Sequence, residues 1–154
     1  MSPRDIDYQA LLELRTGLRR FLCWSERQAE AAGLPPSQHQ LLLAIRGHPD
    51  PKGPTIGDVA GYLLLRHHSA VGLVDRAEGA GLVARQKDPA NHCVVRLKLT
   101  PKGSAKLAAL SELHLEELSH LAPAMDALWD ELERAGHRGS PDARHPAAQP
   151  RDGA

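Results

Sequence analysis

Aromatic side chains are scarce in this chain of 154 residues: Tyr8, Phe21, Trp24, Tyr62 and Trp129 make up 3% of it. A core short of rings has to be filled with Leu, Val, Ile and Ala, which suits helices packed on one another. Net charge is absent too, nineteen basic residues balancing nineteen acidic ones, so the overall charge does not mark a general binder of polyanions. Two cysteines seventy positions apart, Cys23 and Cys93, make no disulfide framework. No run approaches the roughly 20 apolar residues that cross a bilayer. Met1 to Asp7 carries no apolar signal region, so the expected compartment is the bacterial or archaeal cytoplasm, with no membrane partner. There is no Gly-rich phosphate loop and no Ser/His/Asp signature, and the carboxylates sit on helix faces with solvated spacing, so neither an enzyme nor a cofactor is expected.

The 42% hydrophobic content supports a real core. Residues 5 to 31 read as a helix, with Leu11, Leu18, Leu22 and Ala29 at helical spacing and Gly33 as the stop. Pro35-Pro36-Ser37 opens a second helix carrying Leu41, Leu42 and Ile45, which ends near Gly47 to Pro49. After a Pro/Gly loop, Thr55 to Asp58 matches a capping box and starts a short helix. A turn at Leu64-Leu65-Arg66 leads to a helix from about His67 to Ala80, whose stripe is Ala70, Leu73, Val74 and Ala77. Leu82 to Lys87 has extended character and Val94 to Leu99 alternates with period 2; Asp88 to His92 is the turn between them. Thr100-Pro101 caps a long helix, Pro123 breaks or restarts it, and a last helix spans about 123 to 135. The expected architecture is mainly α with a small β-hairpin wing, one domain over 1–135. Residues 136–154, rich in breakers, are expected to be a disordered tail.

A short capped helix, a turn and a second helix make a helix-turn-helix, and the N-terminal end of the second helix is the part that reaches base edges in a major groove. Charge agrees locally. Between Pro54 and Gly103 seven basic residues stand against four acidic ones, with His67, His68 and His92 able to add more. The candidate DNA contacts are Thr55, Arg66, His67, His68, Ser69, Val71, Gly72, Arg76, Arg85, Lys87, Asn91, His92 and Arg96.

The run Thr55-Ile-Gly-Asp-Val-Ala-Gly-Tyr-Leu63, then Arg66-His-His-Ser-Ala-Val-Gly-Leu-Val-Asp-Arg76, then Gly81-Leu-Val-Ala-Arg85, Asp88, and Arg96-Leu-Lys-Leu-Thr-Pro-Lys-Gly103 resembles the MarR (multiple antibiotic resistance regulator) family. The resemblance covers roughly residues 8 to 135 and is specific over 55 to 103. It implies a winged-helix homodimer whose first and last helices (5–31 and 101–135) intertwine around a DNA-binding lobe (36–100). Tyr8, Leu11, Leu118, Leu121, Met125, Leu128, Trp129 and Leu132 would then lie in the dimer interface. It also implies repression of a pseudo-palindromic DNA site, with release by a small lipophilic or phenolic effector. Arg20, Trp24, His39, Leu42 and Arg46 are the candidate effector pocket, although core packing and surface salt bridges account for the same residues. The wing departs from the family's Asp-x-Arg-Arg tip: His92 and Cys93 stand where basic residues are common, so Arg85, Lys87 and Arg96 are expected to carry more of the phosphate contact.

Two other readings stay open. One is a winged-helix protein-interaction module with weakened DNA binding. The other is a thiol- or metal-responsive regulator of the same fold. For the second, no Cys-x-x-Cys or His-x-x-x-His spacing occurs among the nine histidines; a site from Cys23, His39 and His114 is conceivable, but no metal is expected. Cys23 is expected to be a buried structural thiol and Cys93 the more exposed of the two.

Overall fold

The computed structural model describes residues 3–134, so the expected tail at 136–154 lies outside the described residues. Seven elements follow in order: α1 (Asp5–Ala31), α2 (Pro36–Gly47), α3 (Ile56–Leu63), α4 (His67–Gly79), β1 (Val83–Lys87), β2 (Val95–Leu99) and α5 (Pro101–Arg134). One expectation is corrected. Pro123 neither breaks nor restarts α5 but sits inside it; a proline costs its helix one ladder bond, and here the helix carries on to Arg134.

The chain divides into two compact units, one from Arg19 to Leu118 and one made of the outer parts of α1 and α5, up to Leu18 and from Ser119. The boundary falls inside the two long helices rather than at their ends.

The larger unit holds one core. Leu41, Leu42 and Ile45 of α2, Val59 of α3, Leu73, Val74 and Ala77 of α4, Val83 and Leu97 of the hairpin and Leu107 and Leu110 of α5 are all buried in it. Each fully buried leucine or valine contributes about 1.5–3 kcal/mol. The hairpin is antiparallel, with Val83 opposite Leu99, Arg85 opposite Leu97 and Lys87 opposite Val95. Its second edge is not bare: the Leu97 N–H donates to the Pro54 carbonyl at 2.8 Å, tying the α2–α3 loop to β2. Thr100 caps α5, its Oγ1 accepting from the Gly103 N–H at 3.1 Å and donating to the Gly81 carbonyl at 2.6 Å.

Three helices end in the same way. At α1 the Leu34 N–H reaches back to the Ala29 carbonyl, at α3 Leu65 reaches Ala60, and at α4 Leu82 reaches Ala77, each at 2.9 to 3.0 Å. This closure requires a left-handed residue just before the donor. Gly33 and Gly81 supply it at the first and last sites, whereas α3 uses Leu64, at φ 54°.

In the smaller unit, Asp7, Ala10 and Leu128 are buried, with Arg4 holding the Asp7 carboxylate at 3.2 Å. Around them Ile6, Tyr8, Leu11, Leu12, Leu18 and Trp129 are each 43% exposed or more, an uncovered apolar face.

Leu64 is 92% exposed, so its side chain gives little packing in return for the strained backbone. Leu64→Gly is expected to stabilise the protein by about 1 kcal/mol, trading side-chain strain for a residue at ease in that conformation. Thermal denaturation followed by circular dichroism should show a melting midpoint higher by about 2–8 °C; an unchanged or lower midpoint contradicts the strain argument.

Candidate nucleic-acid interface

The α3–turn–α4 segment is built by local rules. Thr55 and Asp58 form the expected capping box: the Asp58 N–H donates to Thr55 Oγ1 at 3.2 Å, and the Thr55 N–H donates to Asp58 Oδ2 at 2.8 Å. The Thr55 hydroxyl itself donates to the same carboxylate at 2.9 Å. Thr55 therefore fixes the start of α3 and has its hydroxyl proton already committed.

Helix α4 buries Ala70, Leu73, Val74 and Ala77, which leaves the other face outward. Arg66, His67, His68 and Arg76 are exposed, and Ser69, Val71 and Gly72 are partly so. A Cβ placed at Gly72 would lie 3.4 Å from Arg76 Nη1, an ordinary contact with the end of a flexible side chain. The first turn of α4 carries no acidic residue, so the positive end of its dipole is not neutralised from within the helix.

Two arginines expected to meet phosphate are engaged inside the protein. Arg85 of β1 spans two carboxylates of α4, Nη2 to Asp75 at 2.6 Å and Nη1 to Glu78 at 3.0 Å. Asp75, followed by Glu78, holds the Arg85 guanidinium more firmly protonated than usual. Arg96 of β2 donates through Nε to Asp88 at 3.0 Å and through Nη1 to the Gly53 carbonyl at 3.2 Å. Asp88, 3% exposed, is the buried anchor of the wing. The Ala90 N–H and then Arg96 pull its carboxyl below the usual range. Its contribution to stability is therefore complete above the ordinary carboxylate range and is lost as pH falls through the lowered value.

Register gives the reason for Arg85. Antiparallel partners share a face, so pairing with buried Leu97 puts Arg85 on the helix-facing side of the hairpin. The alternation legible in β2 carried that information once the register was known. Lys87, Asn91 and His92 are exposed at the wing, and Asn91 Oδ1 accepts from the Cys93 N–H at 3.1 Å.

The candidate effector residues gather unevenly. Trp24 and His39 both pack on His114 of α5, a residue singled out in the sequence only for metal binding, with ring centroids 4.9 Å away in each case. Phe21 completes the cluster at 6.0 Å. Leu42 is fully buried in the core and presents no surface to a ligand, while Arg20 and Arg46 are exposed. The Leu110 carbonyl, 2.7 Å from His114 Nδ1, can only accept, so Nδ1 carries a proton and donates to it, while Nε2 is hydrogen-bonded to the Ser25 hydroxyl at 2.7 Å. Both nitrogens are then occupied, and among the described residues no three His, Cys, Asp or Glu side chains gather as a metal site. Cys23 is corrected from buried to exposed, and Cys93 is exposed as well; α1 turns its Cys23 side away from the core that Ala29 enters.

Residues 32–92 match the sequence model of the MarR family. The chain is 32% identical over 77 residues to YsmB, an uncharacterized HTH-type transcriptional regulator of Bacillus subtilis (strain 168); that stretch is 50% of this chain and 51% of YsmB, so the chain spans about half the length of this curated relative. A solved MarR family transcription regulator has a similar fold, with a TM-score of 0.70 at 22% identity over 87% of this chain and 89% of that one. CouR, a transcriptional repressor solved on a 23-mer DNA duplex, is similar with a TM-score of 0.61 and 27% identity, over 80% of this chain and 89% of its own.

Burial, and then the neighbouring His114, hold the His39 imidazole below its ordinary value. The folded state thus binds fewer protons here than the unfolded chain, and stability falls as pH drops below the unfolded value of about 6.5. Urea unfolding between neutral and mildly acidic pH is expected to show this decline in the wild type and a shallower one in His39→Asn; equal slopes contradict the assignment.

Proposed function

We propose that the chain, whose residues 32–92 match the sequence model of the MarR family, is a member of that family and a homodimeric, sequence-specific DNA-binding transcription regulator. The observation that carries this reading is the outward face of α4. Its inner stripe is consumed by the core, and its N-terminal half presents Arg66, His67, His68 and Ser69 to solvent. A groove-reading helix needs that combination of a fixed back and a polar, sterically open front. The similarity to CouR, solved on duplex DNA, supports the same partner here.

The uncovered apolar residues of the smaller unit, Tyr8, Leu11 and Trp129 among them, support pairing with a second copy; Leu121, Met125 and Leu132 of the same unit are further candidates, Leu128 is buried there, and Leu118 of the larger unit is a candidate in its own right. Two copies would carry two α4 helices about one turn of DNA apart, roughly 34 Å, which suits a pseudo-palindromic site. The regulator acts as a repressor that a lipophilic or phenolic effector releases by favouring a spacing that DNA does not match. No helix among the described residues is long and apolar enough to cross a membrane, and the cytoplasm is the proposed location. The second reading, a protein-interaction module with weakened DNA binding, is favoured by one observation, the internal engagement of Arg85 and Arg96.

A gel shift with the intergenic DNA upstream of the protein's own gene separates the two. Arg66→Ala with His68→Ala is expected to abolish specific binding, each lost base contact costing about 1–3 kcal/mol; an undiminished shift sinks the DNA reading. Light scattering of Trp129→Glu is expected to report a monomer that binds the duplex more weakly, and a dimer of wild-type affinity refutes the proposed interface.

A further inference from the structure

We propose that DNA binding by this chain takes up protons, with His67, His68 and His92 as conditional cations on the DNA-facing surface. The inference rests on the DNA-binding reading above and concerns how that same surface is regulated. Of the seven basic residues between Pro54 and Gly103, two are paired with carboxylates: Arg85 with Asp75 and Glu78, and Arg96 with Asp88; Lys98 and Lys102 donate to the neutral Pro51 and Ala80 carbonyls at 2.5 Å and 3.0 Å and keep their charge. Arg66, Arg76 and Lys87 are exposed and, with Lys98 and Lys102, remain as permanent charges. Three exposed imidazoles, two in the first turn of α4 and one at the wing, stand beside them. Three of the eight cationic groups of this segment that have no carboxylate partner are therefore histidines, whose charge changes between pH 5 and 8.

None of the three imidazoles makes a hydrogen bond or ion pair among the described residues. The carboxylates of the surrounding elements are committed elsewhere: Asp75 and Glu78 of α4 to Arg85, Asp58 of α3 to Thr55, and Asp88 and the loop residue Asp50 to Arg96. The other titratable groups on packed elements are Tyr62 of α3, bonded to His48 at 2.8 Å, His39 and Arg46 of α2, and Lys87 of β1, with Lys52 in the loop 4.0 Å from Asp88. A row of phosphates beside an imidazole favours its protonated form, because an opposite charge nearby stabilises the cation. Protons are thus taken up as the duplex docks, and acid tightens the complex.

Fluorescence anisotropy with the full chain and a labelled duplex of its own upstream intergenic DNA tests this between about pH 8 and pH 6. Wild-type affinity is expected to rise about tenfold or more as pH falls, and the log-log salt dependence to steepen by about one unit per proton-bearing imidazole. His92→Lys makes one charge permanent, so it is expected to bind more tightly than wild type at the alkaline end with a flatter pH response. His92→Gln is expected to flatten the response by losing affinity at the acid end. His67→Gln with His68→Gln, read on a non-specific duplex at low salt, is expected to flatten it further. A flat wild-type profile overturns the proposal, as does a wild-type slope kept in all these variants. A slope that disappears only in His39→Asn assigns the effect to the core and overturns it too. Absence of any duplex binding at every pH is a different result and removes the DNA reading itself.

Discussion

Everything on the outward face of α4 depends on the burial of one stripe of that helix. Ala70, Leu73, Val74 and Ala77 are held against α2, α3 and the hairpin, and they leave the helix no freedom to roll. A helix has one set of faces, so committing four positions to the core dictates which residues meet solvent. The small side chains at Ala70 and Ala77 let the neighbouring elements approach closely, and Leu73 and Val74 supply most of the buried area. Without that anchor, Arg66, His67 and His68 would be ordinary side chains on a loose helix.

The wing is held to this anchor by charge as well as by packing. Arg85 ties β1 to α4, and Arg96 ties β2 to Asp88 and to the α2–α3 loop. The two ties differ in kind. Arg85 is bonded to two exposed carboxylates, each such pair worth about 0–1 kcal/mol because water screens it. Asp88 is buried, and removing Arg96 would leave its carboxylate with only the Ala90 N–H and the more distant Lys52 as partners. A cation used to hold the wing in place is not available to neutralise phosphate, so the same bonds that make the wing rigid make its surface less positive. That trade leaves the exposed imidazoles a larger share of the electrostatics.

The ends of α1 and α5 show the opposite condition. The smaller unit buries Ala10 and Leu128 but leaves Ile6, Tyr8, Leu12 and Trp129 largely exposed. Apolar area of that kind is ordinarily covered in a folded protein, and a second copy of the chain is the proposed cover. Histidine appears in both settings of the molecule with opposite consequences. Buried His39, beside His114, is a group whose protonation loosens the core, whereas the exposed imidazoles of α4 and the wing are the proposed seats of proton uptake.

Local chemistry in the sequence was enough for the element order as far as the start of α5, the Thr55–Asp58 capping box, the Thr100 cap, the glycine stops at Gly33 and Gly81 and the inward stripe of α4. Each of these rests on residues within a turn or two of one another, where periodicity and capping act. Pro123 misled because a proline limits its own helix without deciding whether neighbouring turns hold. The partners of Arg85 and Arg96, the burial of Asp88, the stacking of Trp24 and His39 on His114 and the outward turn of Cys23 were decided only by tertiary structure. All of them depend on strand register or on helices distant in sequence being brought together, and a linear pattern of residue types does not encode which of several possible neighbours a long side chain will reach.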